Sequence, residues 1–410
     1  MRRTKTHTLA RLLSLLAVLA LLLAACGTDD DEPAADPADD DAEEVDEPEE
    51  DEEEAEVDED EAEDEAEVDE DEAEEFFAGE TIEVIVPFGP GGGTDTTARF
   101  IAPFMSDYIP GNPDIQIVNI EAPAGIGGSN EFVNRPSDGY HMKWSAGSTN
   151  FPYFLQDPAV QYDYRDMTPT VGVPTGGVMS VSPDTGYEEP ADILDLSGEV
   201  VQGGQTATGL EAFWLIAWEM LEVDVDVVFG YEGRGPARTA FEQGEVDLDW
   251  QTTSAFFENV EPLIEEGEAI PMFSGGHLDP EGNMIRDPAF PDIPHIGEFY
   301  EEIHGEEPSG EAWDALTSLV PPAWSLQKIL YFHDDAPEVA VNAVREAFIE
   351  MHESGDEFYA GSEEALGDYE LMVGDDLVEA EALAVDVDED TTNWVLDFMV
   401  ENYDVEDPRE

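Results

Sequence analysis

Positive charge is what this 410-residue sequence lacks. It holds 14 Lys and Arg against 102 Asp and Glu, and only three of the 14 are lysines. No stretch gathers enough basic residues to neutralise a run of phosphates, so nucleic acid is excluded as a partner. Cysteine is equally scarce, Cys26 being the only one. A lone thiol builds no disulfide framework and no cysteine-based zinc site. Catalytic signatures are missing too. The stretch "GPGGGTD" (89–95) has no lysine to clamp a terminal phosphate, so it is not a P-loop. The stretch "GIGGSN" has Asn130 where a dinucleotide fingerprint needs its last glycine. No HExxH helix and no GxSxG elbow occurs, and the seven histidines are scattered without ligand spacing. "DVDEDTTNWVLD", from Asp386, mimics a calcium loop but has Thr391 where the sharp turn requires glycine. It is read as a loop and a helix start. No enzyme and no cofactor is expected.

The N-terminus carries an address. Arg2, Arg3, Lys5 and Arg11 precede the apolar run "LLSLLAVLALLLAA" (12–25), which is short for a membrane span and suits a secretory leader. It ends in "LAAC", small residues before Cys26, the pattern of a bacterial lipobox. The expectation is a signal peptide over 1–25 and acylation of Cys26, which would tether the protein to the outer face of the membrane. Residues 29–75 hold 33 acids and no Lys or Arg. Such a segment cannot bury enough surface to offset its ordering entropy, so 26–78 is expected to be a disordered acidic linker that lifts the body off the membrane.

The body, residues 76–410, carries 69 acids against ten bases, a formal charge of −59. Self-repulsion on that scale is screened in molar salt, where the Debye length shrinks to about 3 Å. A salt-adapted protein is the expectation. The chain pattern alternates: "TIEVIVPF" reads as a strand, a glycine run follows, and Ala98, Ile101, Ala102 and Met105 mark one face of a helix in which Pro103 should cause a kink or an early end. "DIQIVNI", "APAGIGGSNEFVN" and "GYHMKWSAGST" repeat the theme. Strand, loop, helix, strand in succession predicts an α/β fold of mostly parallel sheets flanked by helices, and about 335 residues suit two lobes. Phe213, Trp214 and Trp218 lie on a strong helix and are read as lobe core. Thr391 or Thr392 is expected to cap the last helix. Glycine loops between a strand and a helix leave backbone N–H groups free at the helix N-terminus, where the dipole favours an anion.

"IEVIVPFGPGGGTDTTARFIAPFM" followed by "VNIEAPAGIGGSNEFVNRPSDGYHM" resembles the opening of the substrate-binding proteins of tripartite tricarboxylate transporters, the TctC/Bug type. The similarity runs through "YDYRDMTPTVGV" and "YEGRGPARTAFEQGEVDLDWQTTSAFFENVEPLIEEGEAIPMF", over most of residues 80–300. It departs at Glu232, where the family carries lysine, and in the aromatic bulk of "QTATGLEAFW". The resemblance implies a two-lobed Venus-flytrap receptor of the periplasmic-binding type, with lobe 1 over 79–175 and 275–410 and lobe 2 over 176–274. It implies a small carboxylate as ligand, integral membrane subunits of a tripartite transporter as partners, and a monomer. First-lobe loops would hold one carboxylate through backbone N–H groups: Phe88, Gly89, Gly91, Gly92, Gly93, Thr94 and Asp95, then Gly125, Ile126, Gly127 and Gly128, then Gly147, Ser148 and Thr149. From the second lobe, Gln205, Thr206, Thr208, Tyr231, Gly233 and Asp249 would make the distal contacts. Arg234 and Arg238 stand near that site and suit either a distal carboxylate or ordinary surface pairing. An amino acid or other small anion, served by a different transporter, is the alternative.

Overall fold

A computed structural model describes residues 69–409 apart from Pro280 and Asp368. The expected signal peptide, Cys26 and residues 29–68 of the acidic tract lie outside the described residues. The end of the tract differs from the expected linker. Glu70–Phe77 form a helix, capped by Asp69, whose carboxylate accepts from Glu72 N at 3.2 Å. Three acids in the first turn suit the helix dipole. Ala73 and Phe77 are buried, and Phe76 stacks on Tyr140 with centroids 4.9 Å apart. The two phenylalanines give this last segment the apolar surface that the rest of the tract lacks.

Twelve strands follow among the described residues. They are β1 (Thr81–Val86), β2 (Asp114–Asn119), β3 (His141–Trp144), β4 (Met167–Val173), β5 (Gly177–Val181), β6 (Val201–Gly203), β7 (Asp226–Val228), β8 (Leu248–Thr252), β9 (Ile270–Ser274), a small hairpin of β10 (His277–Leu278) and β11 (Met284–Ile285), and β12 (Lys328–His333). Two five-stranded sheets result, in the orders β2-β1-β3-β12-β4 and β7-β6-β8-β5-β9. In the first, β1 pairs parallel with β2 and β3, while β12 runs antiparallel to β3 and β4. In the second, β6 pairs parallel with β7 and β8, while β5 runs antiparallel to β8 and β9. Each sheet thus has one reversed strand, and in each it is the strand that has just crossed from the other lobe. This is the expected mostly parallel, two-lobed architecture.

The first crossing falls at the expected boundary, and the return does not. The first is short, residues 174–176 between β4 and β5. The chain does not return to lobe 1 at 275. Ile296 and Phe299 of helix Ile296–His304, Leu316 of helix Glu311–Ser318, and Trp324 all sit in the core built on the second sheet. The return comes at 325–327. Helix Gly374–Val385 buries Leu377, Ala384 and Val385 on the first lobe, but helix Glu389–Tyr403 crosses again and buries Val395, Leu396 and Met399 in the second core. Its cap is Asp388, which accepts from Thr391 N at 2.8 Å, rather than either threonine. Helix Gly93–Tyr108 continues through Pro103, which lies on the exposed face, where water can serve the carbonyl that the ring leaves without a donor. Phe213, Trp214 and Trp218 are core, as their helical spacing predicts.

Candidate functional site

The loop after β1 is built by one carboxylate. Asp95, in the first turn of helix Gly93–Tyr108, accepts from Gly91 N at 3.0 Å, from Arg99 Nε at 2.9 Å and from Asn119 Nδ2 at 2.9 Å. Asn119 Nδ2 also donates to Phe88 O at 2.9 Å. The turn at Gly91 has φ +79°, which an L side chain rarely adopts. Gly92 is the N-cap. The next N–H groups, of Gly93 and Thr94, have no partner within their own helix, since an α-helix leaves its first four donors open. Asp95 was expected to face a ligand; it instead shapes the loop that presents those donors.

The second loop packs against the first. A Cβ on Gly128 would lie 2.6 Å from Pro87 Cα, and one on Gly125 would meet the Phe88 ring and Thr149 at 2.7 Å. Gly127 lies against Ala122, and Ile126 is half-buried beside the first-lobe cluster that includes Ile85, Phe132 and Tyr331. In the third loop Thr149 Oγ1 donates to Ala146 O and accepts from Ala146 N, closing the start of helix Gly147–Phe154. Gly147 N donates to Gln327 Oε1 at 3.3 Å, from the return crossing.

Between the lobes lies a cavity of about 30 Å³. On the first-lobe side it is walled by Phe88, Gly92, Gly93, Thr94, Ala146 and Ser148. The second lobe supplies Gln205, Leu210, Arg234, Trp250 and Thr252, and Gln327 closes it from the crossing. The lobes touch around it. Ser254 Oγ donates to Gly93 O at 2.9 Å, Arg238 Nη1 to Gly91 O at 3.1 Å, and Ala124 N to Gln205 Oε1 at 3.2 Å.

Six of the residues expected from sequence therefore line the cavity: Phe88, Gly92, Gly93, Thr94, Ser148 and Gln205. The others stand behind the wall. Gly89 and Gly233 approach each other, a Cβ on Gly233 lying 3.8 Å from Gly89 N. Thr208 Oγ1 donates to Asp157, Thr206 is directed into its own turn, and Tyr231 packs beside Gly203. Ala146, Leu210, Trp250, Thr252 and Gln327 were not foreseen. Trp250 and Thr252 follow Asp249 on β8 and could have been found by continuing that strand to its tip. Gln327 leaves no signal in its own surroundings.

Arg234 decides the electrostatics. Its guanidinium lies 4.2 Å from the Trp250 ring centroid and is held by Asp249 and Glu211, both buried. Burial raises both carboxyl groups above their ordinary range, and the charge of Arg234 opposes the rise. Asp249 is thus a partner of arginine and not part of the wall.

No protein-family model matches the chain. A UPF0065 protein in the tcbD-tcbE intergenic region of Pseudomonas sp. (strain P51) is 27% identical over 230 residues, 54% of this chain and 64% of that protein. Protein BugT of Bordetella pertussis is 28% identical over 190 residues, 44% of this chain and 56% of that protein. The chain therefore matches less than two thirds of the length of these relatives. The structure of MatC from Rhodopseudomonas palustris with bound malate superimposes with a TM-score of 0.55 at 19% identity, covering 78% of this chain and 97% of that one.

This chain resembles the Bug-type receptors in sequence and in fold. The likeness to solved structures is one of fold, two lobes each built on a sheet flanked by helices. Among the described residues no helix is long and apolar enough to cross a membrane.

Proposed function

We propose that the protein is a non-catalytic extracytoplasmic receptor that closes its two lobes over a small carboxylate and delivers it to the membrane subunits of a tripartite transporter. The observation that carries this reading is the cavity between the lobes, one wall of which is the N-terminus of helix Gly93–Tyr108. Open main-chain donors and the positive end of the helix dipole meet there, and both favour a carboxylate. Neutral donors suit a body of −59, because they need no cationic side chain. The malate held by MatC supports the ligand class. Acylation of Cys26, after removal of 1–25, would hold the receptor at the outer face of the membrane, with the acidic tract as spacer.

Ligand-dependent thermal stabilisation in molar potassium chloride tests this reading. A receptor gains stability as the logarithm of ligand concentration over Kd. Stabilisation by small carboxylates and not by sugars is expected. Stabilisation by sugars alone, or by nothing in the panel, contradicts it.

A further inference from the structure

We propose that the ligand carries a single carboxylate and an uncharged remainder, and that the second-lobe wall of Arg234, Trp250 and Leu210 turns dicarboxylates away. This rests on the receptor reading above and narrows it. A second carboxylate opposite the helix N-terminus would need a cation or a fork of free N–H groups. Arg234 is the only Lys or Arg in the cavity wall. A guanidinium has five N–H donors. Nε donates to Trp250 O at 3.1 Å. Nη1 donates to Gly203 O at 2.9 Å and to Glu211 Oε1 at 3.4 Å. Nη2 donates to Asp249 Oδ1 at 2.5 Å and to Trp250 O at 3.0 Å. Five donors meet five acceptor contacts, and none is left for a ligand. One face of the group lies on the Trp250 ring.

Charge gives the same answer. Two carboxylates surround one guanidinium, and their side chains are 0% and 2% exposed. The group sums to −1 with both ionised and to zero with one protonated, and is positive in neither state. The rest of the wall is Leu210, the Trp250 ring, Thr252 and Gln205. The Gln205 amide accepts from Ala124 N and donates one of its two N–H groups to Ser148 Oγ at 3.4 Å, which leaves one neutral N–H. A second carboxylate here would meet no cation and no free fork of N–H groups, only single neutral donors such as Trp250 Nε1–H, which is buried without a partner. For an ammonium group, Gly203 O, Trp250 O, Asp249 Oδ1 and Glu211 Oε1 are turned to Arg234, which leaves Glu211 Oε2, a buried oxygen without a partner on a carboxyl group that burial favours in its neutral form. An uncharged, partly apolar end is what this wall accepts, and the small cavity favours a short one.

The test is calorimetric titration of the whole protein in molar potassium chloride with propionate, lactate, succinate, malate and alanine. Propionate or lactate should bind about tenfold or more tightly than succinate or malate. Succinate or malate binding as well or better overturns the inference and leaves the receptor reading standing. Alanine binding tighter than propionate overturns it in favour of a zwitterion. No binding by any of the acids removes both. Asp249→Asn keeps an oxygen that can accept from Arg234 but removes one negative charge, which leaves the guanidinium less neutralised, so the folded variant should shift selectivity toward succinate by about tenfold. Glu211→Gln should act in the same direction. Unchanged selectivity in a folded variant contradicts the assignment, and the wild-type panel decides the matter if neither variant folds.

Discussion

Gly93 and Thr252 meet across the cleft with no room for a methyl group. A Cβ on Gly93 would lie 1.8 Å from Thr252 Oγ1 and 3.3 Å from Ser254 Oγ. Gly93→Ala is compatible with its helical position, so it should leave the lobes folded and block their closure. Ligand-dependent stabilisation should disappear, and solution scattering should show no compaction on adding ligand. Adding Thr252→Ala removes the clashing oxygen and should restore part of both. Gly92 makes a weaker test, because a Cβ there would find only Gly235 N at 4.0 Å.

Arg238 holds the closed state from outside the cavity. Its Nη1 donates to Gly91 O at 3.1 Å while Nε pairs with Glu242 at 3.0 Å. Arg238→Ala removes a contact present only when the lobes are together. Ligand affinity should fall by about three- to tenfold, in line with about 0.5–1.5 kcal/mol for one hydrogen bond. The melting midpoint without ligand should move little. An unchanged affinity would remove the latch.

Which of these features could be seen in the sequence follows from how far each depends on distant partners. The glycine loop after β1 is legible because strand, glycines and helix succeed one another within about thirty residues. The role of Asp95 is not, since it depends on Asn119 from the neighbouring strand. Trp250 and Thr252 become cavity wall only through the pleat of β8 and the closing of one lobe on the other. Gln327 reaches Gly147 over 180 residues of chain. Helix Glu389–Tyr403 has a plain amphipathic pattern, and nothing in that pattern says which lobe it covers.

Asp95→Asn should show the cost of losing that organiser. The carboxylate bonds to Arg99, Asn119 and Gly91 N weaken together. Hydrogen bonds to a charged group are worth about 1.5–3 kcal/mol, so a drop of that order in unfolding free energy is expected, with weaker ligand binding. A variant that is less stable yet binds as tightly would separate the loop from the site.

Two of the three lysines are buried on neighbouring strands. Lys143 on β3 and Lys328 on β12 are both lowered to about 7 by desolvation. Lys143 Nζ donates to Ser129 Oγ at 3.3 Å and lies 4.7 Å from the Tyr164 ring centroid. Lys328 Nζ has no hydrogen-bond partner in the structure. Above pH 7 the folded state has shed these protons while the unfolded chain still binds them up to about 10.4, so stability should rise with pH between 7 and 9. Lys328→Met should remove about half of that rise, leaving the part due to Lys143, and stabilise the protein at neutral pH by about 1–3 kcal/mol. Thermal melts across pH 7 to 9 check both, and a flat wild-type profile would contradict the assignment.

Salt should matter more than for an ordinary protein. With ten bases against 69 acids in residues 76–410, like-charge repulsion is screened only when the Debye length becomes short. The melting midpoint should climb steeply from millimolar to molar potassium chloride. A midpoint independent of salt would show that the surface charges are too well hydrated for their repulsion to count.

A carboxylate held by main-chain donors at the start of helix Gly93–Tyr108 must perturb their amide protons. Glycine-selective nitrogen-15 labelling, with propionate titrated in molar salt, tests this most directly. The Gly93 amide should shift downfield and saturate with the same Kd that calorimetry gives, while glycines far from the cleft, such as Gly305, stay still. Saturable binding that leaves the Gly92 and Gly93 amides unmoved would place the acid elsewhere and rule out the helix N-terminus as its site.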